Sequence, residues 1–264
     1  MIVSLTFDDG LDCHLDVAMP LLAKHGWHGT FFVNLNSLGF CGRLPDWQAA
    51  AKRGNELGNH TIFHPAVSGK SYVTEGNCLE NYTLDRMRVE LTTANQILTA
   101  LDGRKERTFA YPCCNPVLGR PGWSKRLLKK FGLDRTRLMS CLNQCPALDL
   151  VASQADYSSL LPELFVAARA GGYPTGRGPV PLTERYKVPC LSADGKTADQ
   201  LIGEFEAAKM RVPWVPFMFH GIGSGHHLSC TETDFQALLK HLSGDPNNKV
   251  MPFLAAAKTH YSNQ

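Results

Sequence analysis

The sequence predicts an α/β fold built on a mainly parallel sheet or barrel. Three observations predict it. Short apolar, β-branched segments alternate with segments of helical period along most of the chain, the pattern of strands joined by crossover helices. The length of 264 residues suits one α/β barrel, so a single domain over residues 1–264 is expected. The polar motifs rich in aspartate and histidine fall at the ends of apolar segments, where parallel sheets gather their active residues.

Residues 2–7 are apolar and stop at Asp8-Asp9-Gly10, which reads as a buried strand and a turn. Residues 15–24 continue as a helix, punctuated by Pro20 and closed by Gly26. Residues 29–34 form a second strand, and Pro45-Asp46 opens a helix that carries Trp47 and runs to Gly54. Residues 56–60 are a short strand entering a loop. Residues 84–101 carry apolar side chains at helical spacing and are the clearest amphipathic helix. Residues 108–112 are a strand end, and the run 125–130 reads as the solvated face of a helix. Between 134 and 190 the pattern is weaker: 164–170 has helical character, and 171–181, rich in glycine and proline, is expected to be a rim loop that sets specificity. A helix over 198–211, a strand over 214–220, a helix over 231–242 and a final strand over 249–253 complete the chain.

A formal charge of +3 is too small to imply nucleic acid or an anionic membrane as partner, and no apolar run reaches the roughly 18 residues of a membrane span. Nine cysteines at irregular spacing are not a disulfide framework. They are expected to be mostly buried free thiols, which points to a reducing compartment. The expected localisation is cytoplasmic, with secretion after removal of an export signal as the alternative.

Asp8 and Asp9 are neighbouring carboxylates at the rim of a buried strand, and they repel each other unless a cation or a proton intervenes. His60 and His64 form an HxxxH pair able to place two imidazoles around one ion. Each motif alone also reads as a capped turn or as two structural histidines. Together they offer one carboxylate and two imidazoles, a three-ligand set with coordination positions left for water and substrate. His220 ends the strand that begins at Trp214 and is placed either to donate a proton or simply to bond to backbone.

Thr6-Phe7-Asp8-Asp9-Gly10, then Gly29-Thr30-Phe31-Phe32-Val33, then Gly58 to Pro65 with both histidines, resemble the polysaccharide deacetylases (carbohydrate esterase family 4, NodB homology) in motif, order and separation. A second stretch, Ala193 to Thr197 and on through Phe219-His220-Gly221, is similar as well. The resemblance covers about residues 1–115 and 193–254. It implies a distorted (β/α) barrel of mainly parallel strands. It implies Asp8 as general base, His220 as general acid, and Asp9, His60 and His64 as ligands of a divalent transition metal, zinc foremost, with cobalt, nickel or manganese as alternatives. The Cys113 N–H would hold the oxyanion, and Tyr111, Pro112 and Trp214 would contact the sugar.

The implied activity is metal-dependent removal of acetyl groups from a carbohydrate, N-acetyl groups of aminosugar oligomers or polymers first. O-acetyl groups of xylan, small amides, or carbohydrate binding without catalysis are the alternatives. The implied partner is the acetylated carbohydrate, with no nucleic acid or membrane.

The chain departs from the family's pattern in two places. The family's arginine, which positions the base, falls on Ala110, and Arg135 or Arg137 at the end of an expected strand is its candidate substitute. The carboxylate that tunes the acid histidine has only Asp156 or Asp194 as candidates, and without one His220 would be the weaker acid. Cys113 and Cys114 read as packing, as redox-sensitive thiols or as extra ligands, and His226 and His227 as ordinary loop histidines, with the cleft rim as the alternative.

Overall fold

In a computed structural model of the chain, the strands are β1 Ile2–Asp8, β2 Thr30–Val33, β3 Glu56–Asn59, β4 Thr108–Ala110, β5 Val117–Leu118, β6 Ala155–Asp156, β7 Ala167–Arg169, β8 Leu191–Ser192, β9 Trp214–Phe219, β10 Gly221–Ile222, β11 Ser229–Cys230 and β12 Lys249–Val250. The structure describes residues 1–264 other than 134–135, 145–152, 173–181 and 263–264.

The main sheet runs β7-β4-β3-β2-β1-β9-β8, with every pairing parallel. β1 lies at its centre and is buried from Val3 to Asp8, as a strand covered on both faces must be. β12 pairs with Ile2 and Val3 of β1, while β2 pairs with Thr6 to Asp8, so the two share one edge of the central strand. The sheet curls until its edges nearly meet. Val188 bridges to Arg169 and exchanges backbone bonds with Ala168 and Ala170, and three residues later β8 pairs with β9. The segment from Val188 to Ser192 therefore joins the two edges of a distorted barrel.

The helix Leu84–Asp102 shows how sequence sets an outer helix. Thr83 caps its first turn by accepting from Arg86 N, and Gly103 ends it in the left-handed region at φ 74°. Met87, Leu91, Ala94 and Leu98 recur on one face and are buried. Burying a large apolar side chain of this kind contributes about 1.5–3 kcal/mol. Inside the barrel the Glu56 carboxyl accepts from the Thr30 hydroxyl at 2.7 Å, the Leu254 N–H at 2.8 Å and the Thr108 hydroxyl, tying β2, β3, β4 and the last helix together. Burial pushes its pKa up.

Several expectations are corrected. Residues 164–170 are not a helix: the helical turn Leu161–Leu164 ends there and β7 follows. The Ala-Ala pair favours helix locally, but pairing of Thr108, Phe109 and Ala110 with Ala167, Ala168 and Arg169 satisfies both backbones, and that tertiary term wins. Lys125 is not on a solvated face: it is buried, with Nζ 3.2 Å from Gln154 Oε1. The last strand ends at Val250, because Pro252 starts the helix Phe253–Tyr261. Cys41, Cys113, Cys114 and Cys141 are exposed, so the described thiols divide evenly between surface and core; Cys145 lies outside the described residues. Most of the expected rim loop, residues 173–181, also lies outside them. Among the described residues no helix is long and apolar enough to cross a membrane.

Candidate active site

Because the strands are parallel, their carboxyl ends open on one rim. β1 delivers Asp8 and Asp9 there, β3 His60, β4 the segment Tyr111 to Cys114, β7 Arg169, β8 Asp194 and β9 His220.

Asp9 sits at φ 80°, rare for a residue with a side chain, and its N–H donates to Phe32 O at 3.0 Å. That twist turns its carboxylate toward the histidines. His60 is buried, and its Nδ1 lies 2.8 Å from Ala110 O. A carbonyl can only accept, so Nδ1 carries a proton, and Nε2 faces inward, 3.7 Å from Asp9 Oδ1. His64 Nε2 lies 3.4 Å from the same oxygen. Burial and the neighbouring His60 hold the His64 pKa down at about 4, so its ring is neutral and free to bind a cation. Donor atoms of Asp9, His60 and His64 all fall within 4.8 Å of one another. One carboxylate oxygen and two imidazole nitrogens at this spacing fit a divalent transition metal ion.

The loop from His60 to His64 is strained, with Thr61 at φ 66° and His64 at φ 49°. Three side chains hold it. Asn59 Oδ1 accepts from Thr61 N at 2.8 Å, Thr61 Oγ1 accepts from His64 N at 2.9 Å, and Glu90 Oε1 accepts from Ile62 N at 3.0 Å and Phe63 N at 2.9 Å. The other Glu90 oxygen accepts from the Tyr82 hydroxyl at 2.7 Å. The sequence reading missed Glu90. Its signal was an acidic residue between Met87 and Leu91 on the apolar stripe of the helix.

Asp8 is buried, and Arg169 Nη2 lies 2.6 Å from its Oδ1 and also bonds Oδ2. Burial alone would raise the Asp8 pKa, but Arg169, His60 and His220 outweigh it and hold the carboxyl below its usual range. The substitute for the arginine missing at Ala110 is therefore Arg169. Arg137 begins the helix Arg137–Gln144 rather than ending a strand, and Arg135 lies outside the described residues. Arg169 escaped notice because its segment looked helical.

His220 Nδ1 lies 3.0 Å from both oxygens of Asp194, whose Oδ2 accepts from Ser192 Oγ at 3.0 Å. Burial would lower the His220 pKa, but the Asp194 hydrogen bond and the charge of Asp8 raise it above the ordinary imidazole value. Of the two candidate carboxylates, Asp194 is therefore the one that orients His220. Asp156 instead caps the turn Tyr157–Leu160 through Ser158 N at 2.8 Å. His226 stacks on His220 with ring centroids 5.3 Å apart.

Cys113 and Cys114 follow in left-handed conformations at φ 50° and 55°. Cys113 Sγ is 3.1 Å from the Tyr72 hydroxyl, and the cluster of donor atoms at Asp9, His60 and His64 includes neither thiol. The expected sugar contacts are corrected by burial. Tyr111 is 3% exposed and donates its hydroxyl to Tyr186 O at 2.9 Å. Pro112 is buried beside it. Trp214 is fully buried, donates Nε1 to Ser4 Oγ at 3.1 Å, and opens β9 at the end away from His220. None of the three presents a face to a ligand.

The distorted parallel barrel matches the fold of solved structures of carbohydrate esterase family 4. Solved structures similar to the chain are an acetyl xylan esterase of family 4 from Clostridium thermocellum in complex with a cobalt ion (TM-score 0.53, 16% identity, 98% of this chain and 91% of that one). Another is the family 4 domain of a xylanase from the hindgut metagenome of Trinervitermes trinervoides (TM-score 0.55, 12% identity, 98% and 89%). A third is a family 4 pseudoenzyme from Bacillus anthracis (TM-score 0.51, 14% identity, 97% and 65%). Residues 1–131 match the family model described as polysaccharide deacetylase, and the chain belongs to that family. A chitin deacetylase of Arthroderma benhamiae is 33% identical over 98 residues, 36% of this chain. The chain spans about a quarter of that relative's length, 25%.

Proposed function

We propose that this protein hydrolyses acetyl groups from a carbohydrate, with the N-acetyl groups of aminosugar oligomers or polymers as its first substrate class. The observation that carries this is the arrangement around Asp8: a carboxylate kept ionised by Arg169, next to the donor set of Asp9, His60 and His64, with the His220–Asp194 pair contributed by β9 and β8. The chitin deacetylase relative, and family membership over residues 1–131, support the same class of substrate.

Asp9, His60 and His64 would hold the metal, zinc foremost. Such an ion would polarise the acetyl carbonyl and acidify water. Asp8 takes the proton of the attacking water. Its low pKa keeps it available as a base at neutral pH, and Arg169 fixes its orientation. The Cys113 N–H is the backbone donor assigned to the developing oxyanion. His220, protonated on Nε2 and steadied at Nδ1 by Asp194, passes its proton to the departing amine.

The test is acetate release by zinc-loaded protein from N-acetylglucosamine oligomers and from acetylated xylan, beside Asp8→Asn. Acetate from the oligomers with wild type and almost none with Asp8→Asn is the expected result. Acetate from xylan alone would reassign the substrate to an ester. No acetate from either would sink the proposal and favour small amides or binding without catalysis.

A further inference from the structure

His14 has no part in the chemistry above, yet the fold surrounds it closely. It begins a π-helical turn, His14–Ala18, just after the Asp8-Asp9-Gly10 turn, and Met19 N–H closes that turn on His14 O. Pro20 in the next turn has no N–H, which breaks the ordinary helical ladder. The wider turn leaves His14 facing inward and fully buried among Phe7, Phe31 and Trp47, with ring centroids at 5.5, 5.7 and 6.5 Å.

Both ring nitrogens are used. Leu11 N–H donates to Nδ1 at 3.1 Å, so Nδ1 is the acceptor and Nε2 carries the proton. Nε2 lies 2.8 Å from the carbonyl oxygen of His220 and donates to it. Its neighbour Cys13 repeats the connection, with Sγ 3.5 Å from the Ile222 N–H.

We infer that His14 is a positioning residue that fixes the backbone of His220, and through it the direction in which the His220 ring delivers a proton. Asp194 settles the rotation of the imidazole, and His14 settles where its Cα stands. The pair ties the turn that carries Asp8 and Asp9 to the end of β9, so base and acid keep a constant separation. Burial keeps the His14 ring neutral, with a pKa of about 4, and the donor therefore persists across the neutral range. The inference rests on His220 acting as the acid.

Two measurements test it. In a long-range proton–nitrogen spectrum of the wild-type protein, His14 should be neutral with its proton on Nε2. A proton on Nδ1, or a charged ring at neutral pH, would overturn the inference, and this readout needs no variant to fold. The second is acetate release by His14→Asn and His14→Gln. Asparagine can reproduce the Nδ1 acceptor but not the distant donor, whereas glutamine places an N–H where Nε2 stands. His14→Asn should lose about 10- to 100-fold in kcat with KM unchanged, since misplacement by about 1 Å costs on that order. His14→Gln should recover to within about threefold of wild type. In a His220→Ala background His14→Asn should cost nothing more. An inactive His220→Ala beside a fully active His14→Asn would overturn this inference alone. A fully active His220→Ala would overturn the acid assignment, and the inference with it.

Discussion

Arg169 and Ala110 stand opposite each other across the parallel pairing of β7 and β4, and it is Arg169 whose guanidinium reaches Asp8, at 2.6 Å. The family's pattern puts the arginine on β4. Here the charge enters from the adjacent strand at the paired register position. Paired residues on neighbouring strands project to the same face of the sheet, so the two positions face the same patch of rim.

Removing Arg169 would leave a buried carboxylate without its cation. Breaking such a pair costs about 3–5 kcal/mol. Arg169→Ala should lower the urea midpoint accordingly and reduce acetate release by at least about 100-fold. Ala110→Arg combined with Arg169→Ala should restore part of both. A double variant no better than the single one would show that the two positions are not interchangeable.

The pH profile should report the pair His220–Asp194. His220 has a raised pKa, so its acid form persists above the ordinary imidazole value, and kcat should fall as pH rises through that raised value. Asp194→Ala removes the partner that raises it, and the descending limb should move to lower pH with a drop in kcat. An unmoved limb in Asp194→Ala would assign the limb to another group.

Metal affinity should depend on Glu90, although it is no ligand. Glu90→Leu leaves the Ile62 and Phe63 N–H groups without their acceptor and frees the His60–His64 loop. Loss of an outer-shell partner typically costs about 10- to 100-fold in affinity. Zinc titration against a chromophoric chelator should show that loss, while His64→Ala should abolish tight binding. Wild-type affinity in Glu90→Leu would mean that the left-handed turn holds itself.

Stability should fall on the acid side for a reason located at His14. Its folded pKa of about 4 lies below the ordinary 6.5, so the unfolded chain binds the extra proton first as pH falls. The contribution is complete above about pH 6.5 and is lost progressively down to about pH 4, amounting to about 3 kcal/mol. His14→Gln should remove that component from a plot of unfolding free energy against pH in metal-free protein. His64, with the same shift, supplies a similar slope, which bound zinc should extend to lower pH by keeping the ring unprotonated. A plot for His14→Gln that superimposes on wild type would contradict the burial argument.

Tyr111 and Trp214 should behave as core. Trp214→Ala should cost about 3–5 kcal/mol, and Tyr111→Phe should leave KM unchanged. A large rise in KM for Tyr111→Phe without loss of stability would return it to the binding site.

Much of the site was legible in the sequence where its residues are neighbours along the chain. Asp8-Asp9 ends an apolar strand, His60 and His64 sit four apart in one loop, and His220 closes another strand; their types and their place at strand ends were enough to group them. The parallel character of the sheet was legible for the same reason, since strand and helix periods are local. Of the partners, only Asp194 was among the candidates. Arg169 lies 161 residues from Asp8, Asp194 lies 26 from His220, His14 lies 206 from the carbonyl it holds, and Glu90 lies 28 from Ile62. Local propensity even argued against β7, because an alanine pair favours helix until a neighbouring strand offers it hydrogen bonds. Sequence by itself determined which groups could bind a metal and move a proton. Only the closed barrel decided which charge steadies each of them, because a buried ion pair or hydrogen bond depends on where strand ends meet in space, and spacing along the chain carries no record of that.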